Sequence, residues 1–169
     1  MPRTSQREST LIPTAEGELY RQLRDAQTVF DTIGDGLFVV DAQRRVLFSN
    51  DTARALLGKD LPDLPPEAWE ERYRYMLPDT AEPADMAELP LIQALNGHPV
   101  TRQEMHLSGP GISNVWLSVT ARPVHDASGR FSWCYVVLRD INLRKWSEET
   151  MRLHDRAMAS AREGIVIAD

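Results

Sequence analysis

The chain has one cysteine, Cys134, in 169 residues. That rules out an internal disulfide framework and fits a reducing compartment. It has no apolar run near the roughly 20 residues that would cross a bilayer. Its first ten residues are polar and lack the apolar centre of an export signal. The four histidines (His98, His106, His125 and His154) have no metal-ligand spacing. No Ser/His/Asp set and no spaced carboxylate pair suggests catalysis, so no catalytic residue is expected. Gly34-Asp35-Gly36 is a lone Gly-x-Gly with Val39 where a third glycine would stand, which excludes a dinucleotide loop.

Acids outnumber bases, 25 to 19. The net charge is −6, and from Lys59 to Pro90 nine acids face three basic residues. An acidic surface repels phosphate backbones, so nucleic acid is not an expected partner. Glu67, Glu70 and Glu71 share a helical neighbourhood without a paired base and read as solvent-facing. Hydrophobic content of 42% and charged content of 26% are ordinary for a soluble globular domain. The expected location is cytoplasmic.

What is present is a repeat. Asp35-Gly36-Leu37-Phe38-Val39-Val40-Asp41 returns as Glu163-Gly164-Ile165-Val166-Ile167-Ala168-Asp169, 128 positions later. Self-similarity at long spacing suggests tandem modules. The expected layout is a disordered lead (1–14), an amphipathic helix (15–33), one module (34–142), a connecting helix (143–162) and the opening strand of a second module (163–169).

In the first helix Leu19, Leu23, Ala26, Phe30 and Ile33 step by four, three, four and three, an amphipathic stripe that also suits a short coiled coil. Leu37–Val40 and Val46–Ser49 read as a hairpin. Asn50 suits an N-cap for a helix 51–57, with Gly58 after it. Six prolines between 59 and 90 predict an irregular stretch with a helical turn or more in 67–76. Pro90 then opens a short helix that Gly97 stops. Val100–Leu107, Val115–Val124 and Phe131–Leu138 follow with turn residues between them, so they are expected to pair antiparallel. The pattern is α+β with one five-stranded antiparallel sheet.

Six segments in this order resemble a PAS domain: Gly36-Leu-Phe-Val-Val-Asp41, Asn50-Asp-Thr-Ala-Arg-Ala-Leu-Leu-Gly58, Leu91-Ile-Gln-Ala-Leu-Asn-Gly97, Trp116-Leu-Ser-Val-Thr-Ala-Arg-Pro123, Asp126-Ala-Ser-Gly129 and Arg139-Asp-Ile-Asn142. They cover residues 28–142. Asn142 stands where the family more often has Thr. The resemblance implies a PAS fold, with small helices on one sheet face and flanking helices at both ends. It also implies a non-catalytic sensor in a multidomain bacterial-type signalling protein. A second PAS domain and an output domain (histidine kinase, diguanylate cyclase or phosphatase) would follow in the same polypeptide.

Strand alternation places Phe38, Val40, Leu117, Val119, Val136 and Leu138 on the helix-covered face. With Leu56, Leu91 and Leu95 they form either a filled core or a pocket for a small apolar ligand. Trp116, Phe131, Trp133 and Tyr135 lie on the opposite face and need a cover. The stripe of helix 15–33 would supply it, within one subunit or across a homodimer. Asp140, Ile141 and Asn142 are the expected relay into the connecting helix. That helix offers two seams, Trp146–Thr150–Leu153–Ala157–Ser160 and Met151–Met158–Ala161.

No cofactor is expected. The resemblance implies that flavin photochemistry needs an Asn-Cys-Arg-Phe helix motif, yet the one cysteine sits on the last strand. Haem-binding relatives use a His on the helix before the third strand, and 90–95 has none. His154-Asp155 resembles a histidine-kinase phosphoacceptor, but Ala157 and Ala159 fill its basic and proline positions. Two rival readings remain: a ligand-free dimerisation spacer, and a cofactor-based redox or gas sensor.

Overall fold

Strand β1 (Gly36–Val40) is buried along its whole length, as its unbroken apolar run requires of a strand covered on both faces. In this computed structural model the described residues are 27 and 29–166, apart from 64, 66–67, 79–81 and 111. The expected lead (1–14), most of the expected first helix with Leu19, Leu23 and Ala26, and residues 167–169 lie outside them. Residues 29–33 are helical.

A tight turn links β1 to β2 (Val46–Ser49). Asp41 Oδ1 accepts from the amides of Gln43 and Arg45, both at 2.9 Å, and so ties the turn to itself. Helix α1 (Asp51–Leu57) begins at the expected cap: Asn50 Oδ1 accepts from Ala53 N at 2.9 Å. The irregular stretch holds a 3-10 turn (Leu61–Asp63), α2 (Trp69–Arg72) and β3 (Arg74–Met76). A second 3-10 turn (Met86–Glu88) is closed by a capping box between Asp85 and Glu88. Helix α3 (Pro90–Leu95) follows with proline at its first position. The long strands β4 (Val100–Gly109), β5 (Ile112–His125) and β6 (Phe131–Asp140) then lead into α4 (Asn142–Val166).

The sheet order is β2-β1-β6-β5-β4-β3, antiparallel throughout. It therefore has six strands, not the five expected. Arg74–Met76 pairs with His106–Ser108 and covers the outer edge of β4, which would otherwise leave a row of unpaired backbone groups. Three residues are too few to show strand alternation, so this edge was not visible as a strand.

The connecting helix also runs beyond its expected end at 162, through 163–166, where the sequence suggests a new strand. A strand needs a neighbour to satisfy its backbone, whereas a helix does so locally. No second sheet lies beside these residues among those described.

Two glycines fix how closely elements approach. A Cβ on Gly36 would lie 3.1 Å from Ala53 Cα and 3.3 Å from Leu138 Cβ, so β1 seats α1 only without a side chain there. A Cβ on Gly109 would lie 2.1 Å from the Arg72 carbonyl oxygen. Gly109→Ala must push α2 off the end of β4, and a loss of about 2 kcal/mol in urea unfolding is expected. A loss indistinguishable from zero would show that this end of the sheet yields freely.

Candidate functional site

The covered face of the sheet closes with α1, α2 and α3 around an interior cavity of about 50 Å³. Six of the nine residues expected to line it do so: Phe38, Leu91, Leu117, Val119, Val136 and Leu138. Val40 is fully buried in the same core but does not reach the space. Leu56 and Leu95 pack half-buried at the core's margin instead. The cap at Asn50 phases α1 so that Ala53 and Leu57 point inward, and Leu57 takes the wall position expected of Leu56. In α3 the inward pair is Leu91 and Ala94, three apart, which turns Leu95 aside.

Three aromatic side chains from the irregular stretch, Trp69, Tyr73 and Tyr75, also line the cavity. Phe38 meets Trp69 edge-on at 6.2 Å between ring centroids, Trp69 meets Tyr73 at 6.2 Å, and Tyr73 meets Tyr75 at 6.0 Å. The spacing Trp69–Tyr73, four apart, was the available signal: one face of a helical turn. Tyr73 donates its hydroxyl to the Leu57 carbonyl at 2.8 Å, which ties α2 to the end of α1. Burial pushes the Tyr73 phenol up to about 12 and raises that of Tyr75 further, so both are neutral at ordinary pH. Cys134 is buried, and burial pushes its thiol up to about 11, which makes it a poor nucleophile. Among the described residues Arg44 is the one charged residue on the cavity wall, held in the left-handed region at φ 65.

Asn50, wholly buried, joins three elements. Its Oδ1 accepts from Leu37 N at 2.8 Å and Ala53 N at 2.9 Å. Its Nδ2 donates to Asp31 Oδ1 at 2.8 Å and to the Asp35 carbonyl at 3.0 Å. Beside it Asp35, buried, receives a two-pronged pair from Arg139 of β6 at 3.0 and 2.7 Å. The entry of the chain into the sheet is thus bound to its last strand.

On the outer face Trp116, Trp133 and Tyr135 are half-buried. Trp133 and Tyr135 lie 6.3 Å apart. Phe131 departs from the expected pattern: at the register shift beside His125 it packs against the margin of the core. Of the expected covering stripe, Phe30 is half-buried and Ile33 is 58% exposed in the single chain. Trp116 lies beside His106 at 5.1 Å, and Lys145 Nζ sits 4.8 Å from the centre of its ring.

That lysine belongs to the first turn of α4, where the expected relay residues converge. Ile141 N donates to the Trp116 carbonyl and Trp116 N donates to Asn142 Oδ1, both at 2.9 Å. Asn142 N is held by Asp140 Oδ1 at 2.8 Å. The Asn142 side chain thus reaches across from the start of α4 to β5. Glu104 of β4 completes the root, paired with Arg144 at 2.5 Å and Lys145 at 2.7 Å.

Those hydrogen bonds, Lys145 first, hold the Glu104 carboxyl below its ordinary 4.5. A depressed acid stabilises the fold above its unfolded value and loses that contribution as pH falls through the folded one. The protection factors of the amides in the first turns of α4 are therefore expected to fall as pH drops below 4.5. Glu104→Gln should show the faster exchange at neutral pH; equal protection in the variant would show that these pairs do not hold the root.

Beyond its first turn α4 is open. Trp146, Met151, Leu153 and Met158 are 57–69% exposed, and Leu143, within the first turn, is 77% exposed. Thr150 and Ala157 are exposed as well, while the side chains of Ser160 and Ala161 lie outside the described residues. Among the described residues no helix is long and apolar enough to cross a membrane, and no group of three His, Cys, Asp or Glu side chains is placed to hold a metal ion.

The architecture has relatives. The PAS domain of the fruit-fly ELK potassium channel superposes with a TM-score of 0.51 at 14% identity, over 70% of this chain and 96% of that one. A sensory box histidine kinase/response regulator from Burkholderia thailandensis gives 0.51 at 15% identity, over 80% and 98%. An RNA-binding light-oxygen-voltage receptor gives 0.52 at 20% identity, over 94% of this chain and 42% of that one. At these identities the likeness is one of fold. No curated protein matches the chain in sequence. The family described as PAS fold matches residues 30–145, more than half the chain, which therefore belongs to the PAS family.

Proposed function

We propose that the chain is a non-catalytic sensory and dimerisation module of a multidomain cytoplasmic signalling protein. In this reading α4 passes the signal to an output domain farther along the polypeptide: a histidine kinase, a diguanylate cyclase or a phosphatase. The repeat beginning at Glu163 favours a second PAS domain between them. The observation that carries the reading is the contrast along α4. Its first turn is pinned to β4 and β5 through Glu104 and Trp116, while the apolar residues after that turn are uncovered. A lever needs both parts, a root that feels the sheet and a shaft whose packing can change. Two stripes share the shaft, so a second copy has two registers to choose from, and a small push at the root decides between them.

The signal itself is either a small apolar ligand or a docking partner. A cavity of about 50 Å³ is well below the roughly 300 Å³ of an ordinary ligand site, so a ligand enters only if Trp69 or its neighbours give way. That tightness favours the second reading, a ligand-free dimerisation spacer. No resident cofactor is expected, and a visible absorption band in the purified chain would overturn that.

Sedimentation equilibrium tests the pairing. A dimer is expected, with Trp146→Glu/Leu153→Glu monomeric and still folded by circular dichroism, because both side chains are exposed in the single chain. A wild-type monomer at high micromolar concentration would remove the proposal.

A further inference from the structure

The outer face of the sheet carries a second concavity, a cleft of about 400 Å³ between β4, β5, β6 and the root of α4. Arg102, Arg139 and Arg144 line it together with the hydroxyl-bearing Ser118 and Thr120. Two of the guanidinium groups have internal partners: Arg139 holds Asp35, and Arg144 holds Glu104 and Glu148. Arg102 has no ion-pair partner among the described residues. The wall therefore sets three positive charges against the two carboxylates that line it, Asp35 and Glu104, a local excess of cation on a chain of net charge −6.

Arg102 is also where the backbone departs from the sheet. It sits at the register shift between Val100 and Gln103, at φ 55, with its amide donating to Thr120 Oγ1 at 3.1 Å. A side chain in the left-handed region stores strain that glycine would not. Bulges of this kind re-aim a side chain out of the strand's alternation. Here the re-aimed group is an unpaired guanidinium on the wall of a polar cleft.

We propose that this cleft binds a phosphate-type oxyanion, with Arg102 as its principal donor and Arg139, Ser118 and Thr120 completing the contacts. The guanidinium fork matches a tetrahedral oxyanion with two parallel N–H donors, and a charge-assisted pair is the stronger kind of hydrogen bond. The bound anion competes with Asp35 for Arg139 and with Glu104 for Arg144, so it acts on the contacts that hold the first turn of α4. Binding stands apart from the pairing reading, because it is measured on the chain whatever its oligomeric state.

The test is an NMR titration of the isotope-labelled chain with inorganic phosphate at constant ionic strength. Saturable shifts are expected at the amides of Arg102, Thr120 and Arg139. Arg102→Gly removes the guanidinium and the strain together: phosphate affinity should fall about tenfold while the thermal midpoint rises by about 2 °C. Arg102→Gln, which keeps the stem of the side chain, should lose the same affinity. Arg122→Ala, whose side chain hydrogen-bonds Thr101 outside the cleft, should lose none. Shifts linear in phosphate, shifts reproduced by chloride, acetate binding as tightly as phosphate, or full affinity in both Arg102 variants would each overturn the site.

Discussion

Replacing Asn50 with alanine is expected to lower the free energy of unfolding by about 4 kcal/mol. The residue is completely buried, and its amide serves two backbone N–H groups and two acceptors at 2.8–3.0 Å. Alanine leaves the amides of Leu37 and Ala53 without that acceptor, and each orphaned buried donor costs about 1–3 kcal/mol. It also removes the cap of α1 and the link from Asp31 to the sheet. For a chain of this length 1 kcal/mol is about 2–4 °C in Tm, so the midpoint should fall by roughly 10 °C. A loss under about 1 kcal/mol, the typical worth of a simple cap, would show that Asn50 caps the helix and little more.

Trp69→Ala is expected to cost about 3–5 kcal/mol, as large-to-small changes in a packed core do. Trp69 is 7% exposed and stands edge-on between Phe38 and Tyr73. Its removal should enlarge a cavity that is already apolar, and an apolar cavity of that kind stays dry and accepts an apolar guest. Indole added to the variant should therefore restore part of the lost Tm, by mass action on the folded state, and should leave the wild type unchanged. If indole raises the wild-type Tm equally, the interior opens without help and the ligand-free reading fails. If the variant gains nothing, the interior has collapsed around the gap and is no latent ligand site.

The fold was readable wherever a local rule applies. Asn50 announces α1, Pro90 announces α3, and alternation at Leu117 and Val119 and at Val136 and Leu138 marks the covered face, because caps and pleats act over a few residues. The wall of the cavity was readable only in part. Two of its three errors are of helical phase: Leu56 for Leu57 is a rotation of one residue, and Leu95 falls just past the inward stripe; the third, Val40, faces the same core from β1 without reaching the space. Periodicity could not show what depends on distant partners. Asp35 and Arg139 are 104 positions apart, Glu104 and Arg144 are 40 apart, and neither pair leaves a pattern in the sequence between them. The edge strand Arg74–Met76 and the aromatic filling by Trp69, Tyr73 and Tyr75 come from an acidic, proline-broken stretch with no long period. Their order comes from the core and from the free edge of β4.

The claim that the root of α4 sets the packing of its shaft is tested most directly by interchain disulfide formation at Trp146→Cys and at Met151→Cys, each measured with Glu104 intact and with Glu104→Gln. The native Cys134 is buried and stays silent. Breaking the Glu104 contacts is expected to shift cross-linking from one position to the other. The same ratio at both positions, with and without Glu104, would contradict the account.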